Sequence, residues 1–302
     1  MSALLYYVLL ALLKILQTLP MAAVVTLGRA GGGLAYYLDA RHRRVAVENL
    51  RRCFAAEKTP AEIRALAREH FRRLGENYAG AVKAAGMTDE ALRPHLESMG
   101  ADKLQGRHAV FVIGHFGNFE AYARLGSYAT HTRLATTYRA LPQPRLNALL
   151  LRLRTQSQCL FFERRTEAQA LARKLSEGGI TLGLLCDQNV GRHGVRAPFF
   201  GFDCATSAAP ALLAQRYGLP LLSAICFRTG LGRWRVEFGD EVPTTKDGMR
   251  RSAEEIMTEV NSILESAVRR DPANWFWVHD RWRFGKKLRE KSRNQATAPS
   301  SE

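Results

Sequence analysis

The sequence predicts an α/β protein with a largely parallel central sheet flanked by helices, preceded by an N-terminal membrane-anchoring helix. Short apolar runs typical of buried strands alternate with segments of helical periodicity over much of the chain, a pattern that predicts parallel β-α-β units. The chain has 302 residues, of which 46% are hydrophobic, enough to bury one large α/β core. Residues 3–27 are almost continuously apolar.

The apolar N-terminal run is the first element. It is longer than the roughly 20 residues that a membrane-spanning helix needs, although Lys14 and Pro20 interrupt it. No basic stretch precedes it and no small-residue cleavage motif follows, so a cleaved signal peptide is not expected. Residues 1–28 are therefore predicted to be a retained membrane helix. Partial immersion in the interface and packing on a soluble domain are the alternatives.

Residues 29–100 are predicted to be a basic, helical segment that packs on the core. Helical spacing begins near residue 44, Pro60 is expected to open a second helix with Thr59 as its N-cap, and a short third helix is expected after Thr88. The three consecutive glycines at residues 31–33 are expected to be a flexible join rather than a phosphate loop. The arginines of this segment would attract anionic lipid head groups and mark a cytoplasmic side. They are Arg41, Arg43, Arg44, Arg51 and Arg52.

Residues 101–285 are predicted to form the α/β core, and residues 286–302 a disordered tail. The expected strands are residues 108–113, 133–138, 180–186, 219–227 and 233–238. The expected helices are residues 119–128, 143–156, 166–177, 206–217 and 249–270.

Charge and cysteine content bound the function class. The formal net charge is +16, from 44 Lys and Arg against 28 Asp and Glu, which favours an anionic partner such as nucleic acid, an anionic membrane or a phosphorylated substrate. Zinc motifs and interleaved aromatic residues are missing from the basic clusters, so nucleic acid is not the expected partner. The five cysteines have no C-x-x-C spacing, which predicts reduced thiols rather than a disulfide frame or a zinc site.

The most informative stretch follows the first predicted core strand. Residues 114–120 read Gly-His-Phe-Gly-Asn-Phe-Glu, and ligands of open α/β sheets lie beyond the carboxyl ends of the strands. His115 can take a proton from a hydroxyl near neutral pH, and a carboxylate such as Glu120 can hold its ring in one tautomer. The spacing also fits a strand-end histidine that only caps a turn.

Three further stretches carry candidate site residues. Asp187 ends another predicted buried strand and precedes a glycine-containing loop with Arg192, which could face a phosphate. Tyr138 and Arg139 end a third strand, and the helix that follows carries Arg152 and Arg154. The alternative interpretation of the stretch after Asp187 is an ordinary polar loop. The alternative for the helix with Arg152 and Arg154 is a solvated basic face.

Together these stretches resemble the lauroyl/myristoyl acyltransferases of bacterial lipid A biosynthesis, within the lysophospholipid acyltransferases. The family pattern His-x4-(Asp/Glu) is matched by His115 and Glu120. The remaining motifs are matched by Tyr138-Arg139, by Arg154 in the helix after them, by residues 187–195, by Pro198-Phe199-Phe200-Gly201 and by Ala205-Thr206. The closing motif reads His279-Asp280-Arg281, where members commonly show His-Arg-Arg, and Arg152-Leu153-Arg154 stands where many have Gly-Arg.

The resemblance implies transfer of an acyl chain from acyl-ACP or acyl-CoA to a hydroxyl of a lipid A precursor. His115 would be the general base and Glu120 its orienting carboxylate, with Asp187 in a supporting role. Arg154, or backbone N–H groups near Gly117, would stabilise the oxyanion. Tyr138, Arg139, Gly117, Asn118 and Arg192 would bind substrate, and no metal or cofactor is expected.

The implied partners are an acyl carrier protein, a membrane glycolipid and an anionic membrane surface. The implied location is the cytoplasmic face of the bacterial inner membrane. A different lipid acceptor, such as a glycerophospholipid, an ornithine lipid or a mannosylated phosphoinositide, keeps the same chemistry. A thioester hydrolase and a membrane-tethered binding protein without catalysis are the rival classes.

Overall fold

The computed structural model describes residues 3–104, 106–125, 132–154 and 157–283, with the side chains of residues 3–5 left out. The predicted tail at 286–302 lies outside these residues. The helices are α1 (Ala3–Thr18), α2 (Met21–Leu38), α3 (Ala40–Phe54), α4 (Pro60–Ala84), α5 (Asp89–Leu92), α6 (Pro144–Arg154), α7 (Ala168–Glu177), α8 (Ala209–Tyr217) and α9 (Ala253–Arg270). The strands are β1 (Leu96–Met99), β2 (Val110–Ile113), β3 (Arg133–Tyr138), β4 (Leu160–Glu163), β5 (Ile180–Leu185), β6 (Val195–Phe199), β7 (Phe202–Thr206), β8 (Leu221–Gly230), β9 (Arg233–Glu241), β10 (Thr245–Lys246) and β11 (Met249–Arg250).

The N-terminal apolar run forms two helices, so the prediction of a single helix over residues 1–28 is wrong. Pro20 lies between α1 and α2 in an extended conformation (φ −57°, ψ 146°). Its ring disfavours helical geometry at the preceding residue, Leu19, so α1 ends at Thr18. Within the described residues, the structure contains no helix with the length and apolar character needed to cross a membrane.

Helix α2 packs closely along α4, and its glycines make this possible. A Cβ on Gly32 would lie 2.1 Å from the carbonyl oxygen of Phe71, and one on Gly28 would lie 2.5 Å from that of Gly75. The predicted flexible join at residues 31–33 is therefore wrong, because these glycines lie inside α2. Glu76 of α4 is fully buried and binds Arg29 of α2 and Arg228 of β8, which ties the helical segment to the sheet.

A seven-stranded sheet forms the centre of the molecule, in the order β1-β9-β8-β2-β5-β3-β4. Only the β8–β9 pair is antiparallel within this sheet, and every other neighbouring pair is parallel. This confirms the predicted largely parallel sheet with flanking helices. The central strand β2 is buried along its whole length, and its register pairs Ile113 with Leu185 of β5.

Several elements depart from the sequence prediction. Strand β1 ends at Met99 and pairs with β9, so the sheet begins before the predicted domain boundary at residue 100. The segment after Asn118 forms a short 3₁₀ helix, Phe119–Arg124, rather than the expected helix over 119–128. The β6–β7 hairpin and strand β4 were not predicted, because each of these strands has five residues or fewer and periodicity is a weak signal over so short a length.

Candidate active site

His115 and Asp187 form the centre of the site. The Nδ1 atom of His115 lies 2.6 Å from Oδ1 of Asp187, and the backbone N–H of His115 donates to Oδ2 at 2.7 Å. A carboxylate can only accept, so Nδ1 carries the ring proton and Nε2 is left with a lone pair. The arrangement is that of a general base whose tautomer is fixed by a buried acid.

The surroundings of Asp187 keep it ionised. Its side chain is only 2% exposed, and a third donor, the indole N–H of Trp275, reaches Oδ2 at 2.7 Å. Burial opposes the charge of this carboxylate, but the charge of His115 and the hydrogen bonds from His115 and Trp275 outweigh it and lower the pKa of Asp187. The negative charge can therefore stabilise an imidazolium on His115.

Glu120 does not hold the His115 ring, so its predicted role is wrong. The carboxylate of Glu120 instead binds the guanidinium of Arg154, with Nε at 3.0 Å from Oε2 and Nη2 at 2.5 Å from Oε1. Residues 119–124 turn tightly as a 3₁₀ helix and direct Glu120 toward the end of α6. Arg154 also lies over the ring of Phe161, 4.9 Å from its centroid. Glu120 was predicted to orient the ring because it is close to His115 in sequence, but Asp187 is the carboxylate that binds the ring.

Gly117 and Asn118 form the turn that carries His115. Gly117 has a φ of +59°, and a Cβ there would lie 2.1 Å from the carbonyl oxygen of Cys226, so no larger residue fits. Its N–H donates to the carbonyl of Asn274 at 2.9 Å. The Gly117 amide is therefore used within the fold and is not available to stabilise an oxyanion.

A cavity of about 800 Å³ opens beside His115. Its polar lining includes His115, Glu120 and Arg154, and much of the remaining wall is aliphatic or aromatic. Its apolar lining includes Phe111, Ile113, Phe119, Leu125, Leu134, Leu150, Phe161, Leu185 and Phe238. A pocket of this volume and character suits a long acyl chain.

Two exposed arginines line the same cavity. Arg139 follows β3 and Arg164 follows β4. The carboxylate of Glu163 accepts from the backbone N–H groups of Ala140, Arg165 and Thr166 and so joins the two loops. Tyr138 also lines the cavity, with Arg154 6.0 Å from its ring centroid. The described lining does not include Arg192, which is exposed in the 3₁₀ turn Gly191–His193.

The segment after α9 supplies residues that sequence reasoning did not assign to the site. His279 lines the large cavity, and its Nε2 accepts from the backbone N–H of Asn189 at 2.9 Å, so Nδ1 holds the ring proton. Burial lowers the pKa of His279, which keeps the ring neutral near neutral pH. Arg281 is fully buried and donates to the carbonyl of Gln188. Asn49 of α3 donates to the carbonyl of His279.

These contacts define a strap, residues 271–282, that crosses the loop carrying Asp187. In the sequence, the strap was marked only by its aromatic content and its His-Asp-Arg motif. The bonds that hold it against the loop span more than 80 residues and leave no local pattern.

Comparisons with known proteins give a family match over nearly the whole chain. A family model described as bacterial lipid A biosynthesis acyltransferase matches residues 1–284. The lipid A biosynthesis palmitoleoyltransferase of Escherichia coli (strain K12) is 24% identical over 280 residues, which cover 88% of this chain and 86% of that protein. The lipid A biosynthesis acyltransferase of Shigella flexneri gives the same identity and coverage.

Among solved structures, the 1-acyl-sn-glycerophosphate acyltransferase PlsC of Thermotoga maritima has a TM-score of 0.39 at 13% identity. The alignment covers 84% of this chain and 97% of that one. The resemblance inferred from the motifs is confirmed by the family match, which spans nearly the whole chain. The chain therefore belongs to the bacterial lipid A biosynthesis acyltransferase family and is an acyltransferase.

Proposed function

We propose that this acyltransferase moves a fatty acyl chain from a thioester donor, acyl-ACP or acyl-CoA, to a hydroxyl of a lipid A precursor. The observation that carries the proposal is that His115, which is hydrogen-bonded to Asp187, lines the 800 Å³ cavity. An acyl chain in that cavity would bring its thioester carbonyl to the base. The family membership and the names of the two relatives support the choice of acceptor.

The residues support direct attack without a covalent enzyme intermediate. Nε2 of His115 accepts the proton of the acceptor hydroxyl as the oxygen attacks the thioester carbonyl carbon. The C–O bond forms, the C–S bond breaks, and the thiolate leaves with the proton that His115 releases. Asp187 stabilises the imidazolium between these steps.

Two side chains would stabilise the tetrahedral oxyanion. The Nη1 atom of Arg154 is buried and has no hydrogen-bond partner among the described residues, while the other two guanidinium nitrogens bind Glu120. The Nδ1–H of neutral His279 is the second donor, because its Nε2 is occupied by Asn189. Both residues line the cavity with His115.

Arg139 and Arg164 would receive the donor's phosphate. Both acyl-ACP and acyl-CoA present a phosphorylated pantetheine arm, and arginine recognises phosphate by paired hydrogen bonds. The formal charge of +16 would also favour an acidic carrier protein.

An anionic membrane is the proposed surface of action, at the cytoplasmic face of the bacterial inner membrane. Large apolar side chains on α1 and α2 are exposed, among them Leu12 (53%) and Ile15 (55%). Helix α3 adds the exposed arginines Arg41, Arg44 and Arg51. Such helices lie in the interface with their apolar faces buried and their cations near lipid phosphates.

The test is a transfer assay with purified, detergent-solubilised protein. Acyl-ACP and a tetra-acylated lipid A precursor are incubated with the enzyme, and the product is identified by mass spectrometry. We expect a product heavier by one acyl chain, and its loss in a folded His115→Ala variant. Full activity of that variant would contradict the mechanism.

Parallel reactions distinguish the remaining alternatives. Acyl-CoA replaces acyl-ACP in one series, and lysophospholipid, ornithine lipid or mannosylated phosphoinositide replaces the lipid A precursor in another. Preference for one of these lipids would overturn the proposed acceptor while leaving the chemistry intact. Release of free fatty acid in the presence of every acceptor would indicate a hydrolase.

A further inference from the structure

A second, much smaller cavity lies on the α4 side of His115. Its walls include His70 and Asn77 of α4, the turn at residues 117–120, and Ala273, Asn274 and Phe276. The volume is about 10 Å³, close to the minimum that holds one ordered water molecule. None of the residues assigned to acyl-chain binding apart from Phe119 lines it.

His70 contributes an unsatisfied hydrogen-bond acceptor. The side chain is 2% exposed, and its Nδ1 lies 3.2 Å from the carbonyl oxygen of Ala273. Because a carbonyl only accepts, Nδ1 carries the proton, and burial lowers the pKa of His70 to about 4, so the ring is neutral. Its Nε2 lone pair is buried and has no partner among the described residues.

Asn274 contributes a second unsatisfied acceptor. This side chain is 4% exposed, and its Nδ2 donates to the carbonyl oxygen of Cys226 at 3.2 Å, which fixes the orientation of the amide. Its Oδ1 is buried and likewise has no partner among the described residues. The two acceptors cannot satisfy each other, since neither carries a hydrogen to donate.

We infer that the small cavity is a site for one ordered water molecule, which donates one hydrogen to Nε2 of His70 and the other to Oδ1 of Asn274. Two acceptors would repel an anion. A cation is disfavoured because Glu120, the carboxylate in the wall, is already paired with Arg154, and Arg73 lies close enough to His70 to lower its pKa. A water molecule is the ligand with the right size and two donor hydrogens.

The water would join α4 to the backbone that holds both catalytic residues. The carbonyl of Asn274 accepts the N–H of Gly117, two residues from His115, and the next residue, Trp275, donates to Asp187. His70 and Asn274 are thus positioning residues, which act on the base through the turn and the strap. This inference concerns the placement of His115 and holds whichever lipid is the acceptor.

Crystallography tests the water directly. A structure of the full-length enzyme at a resolution that shows ordered solvent should contain a peak within hydrogen-bond distance of both Nε2 of His70 and Oδ1 of Asn274. An empty cavity, or a peak bonded to neither atom, overturns the inference.

Variants test the positioning role. His70→Phe and Asn274→Leu each leave one acceptor alone and should each raise the equilibrium constant for unfolding roughly tenfold. We expect each variant to lower kcat for acyl transfer at least threefold, with the KM for the acyl donor unchanged. The double variant removes both acceptors, so its loss of stability should be smaller than the combined losses of the single variants.

Two further variants separate this role from simple packing. His70→Gln places an amide oxygen where the ring acceptor lies and should restore most of kcat. His108→Phe is the matched control, because Nδ1 of His108 is also buried without a partner among the described residues but lies outside this cavity. An unchanged kcat in His70→Phe, or an equal loss of kcat in His108→Phe, contradicts the positioning role.

Discussion

His115 and Asp187 are hydrogen-bonded at 2.6 Å although 72 residues separate them in the chain. The sheet brings them together, because β2 and β5 are parallel neighbours in a register that pairs Ile113 with Leu185. Each site residue lies two positions beyond its paired strand residue, so the histidine and the carboxylate emerge at the same level of the same edge. The base and its acid partner are therefore a direct product of strand order and register.

Replacing Asp187 with Asn should lower kcat by roughly 10²–10⁴-fold, because an amide cannot stabilise the imidazolium or hold the required tautomer. The KM values for donor and acceptor should change little, since Asp187 is nearly inaccessible to substrate. The measurement is the steady-state rate of acyl transfer over a series of substrate concentrations. Asp203→Asn, at an exposed carboxylate of β7, is the matched control. An active Asp187→Asn enzyme would rule out the proposed pairing.

The sequence alone predicted much of this arrangement. It identified five strands of the sheet, placed His115 and Asp187 at the carboxyl ends of two of them, and identified the family from ordered motifs. These features are local, since apolar runs, glycines and motif spacing are all visible along the chain.

The pairings between distant segments could not be predicted from one sequence. Glu120 is five residues from His115 and was the obvious partner, but the 3₁₀ turn directs it to Arg154. The assignment of Asp187 to the ring nitrogen depends on strand order, which periodicity does not reveal. Pro20 indicated a break between α1 and α2, but the length of the apolar run favoured the prediction of one continuous helix.

Breaking the Glu120–Arg154 pair should reduce both stability and activity. Lysine cannot reproduce the two-point contact, so Arg154→Lys should lose most transfer activity. It should also lose about 1–2 kcal/mol of the free energy of unfolding. This loss is limited by solvent screening, because the side chains of Arg154 and Glu120 are 16% and 29% exposed. Glu120→Gln should lose a similar amount. Measured together in a double-mutant cycle by denaturant unfolding, the two losses should not add. Lys174→Met, which removes an exposed ion pair with Glu177, should change neither quantity. Fully additive losses would show that the contact has no energetic role.

Filling the large cavity should shorten the acyl chain that the enzyme accepts. Ala135 of β3 is buried in the cavity wall, and Ala135→Leu adds three carbon atoms to that wall. We expect the preferred donor to become shorter, as measured by competition among acyl-ACPs of different chain length with product masses as the readout. Ala214→Leu, at an equally buried alanine of α8 outside the cavity, should lower stability without changing chain preference. The same chain preference in both variants would place the acyl chain elsewhere.

Acid should destabilise the protein through His70. Its pKa is lowered to about 4 in the folded state, against 6.5 for the ordinary side chain, so the unfolded chain binds more protons as the pH falls. Stability from this residue is therefore present above pH 6.5 and is lost as the pH falls toward 4. Between pH 7 and pH 5 the loss should be roughly 2 kcal/mol. Denaturant unfolding at several pH values measures it, and His70→Gln should flatten the curve in this window. Identical curves for the two proteins would show that His70 titrates normally.

The exposed face of α1 should control binding to membranes. Leu12→Glu together with Ile15→Glu replaces two exposed apolar side chains, each of which contributes roughly 1.5–3 kcal/mol when fully buried in an apolar phase. Sedimentation with vesicles that contain anionic phospholipid should show strong binding of the unmodified protein and at least a tenfold weaker partition of the double variant.

Leu212→Glu is the control for this membrane test, because Leu212 is equally exposed (54%) but belongs to α8 rather than to α1, α2 or α3. Raising the salt concentration should weaken the remaining binding, since Arg41, Arg44 and Arg51 would act through screened charge. Equal binding of both glutamate variants would exclude α1 as the membrane contact. Loss of binding in the α1 variant alone, with transfer to a detergent-dispersed acceptor retained, would separate membrane attachment from the chemistry at His115.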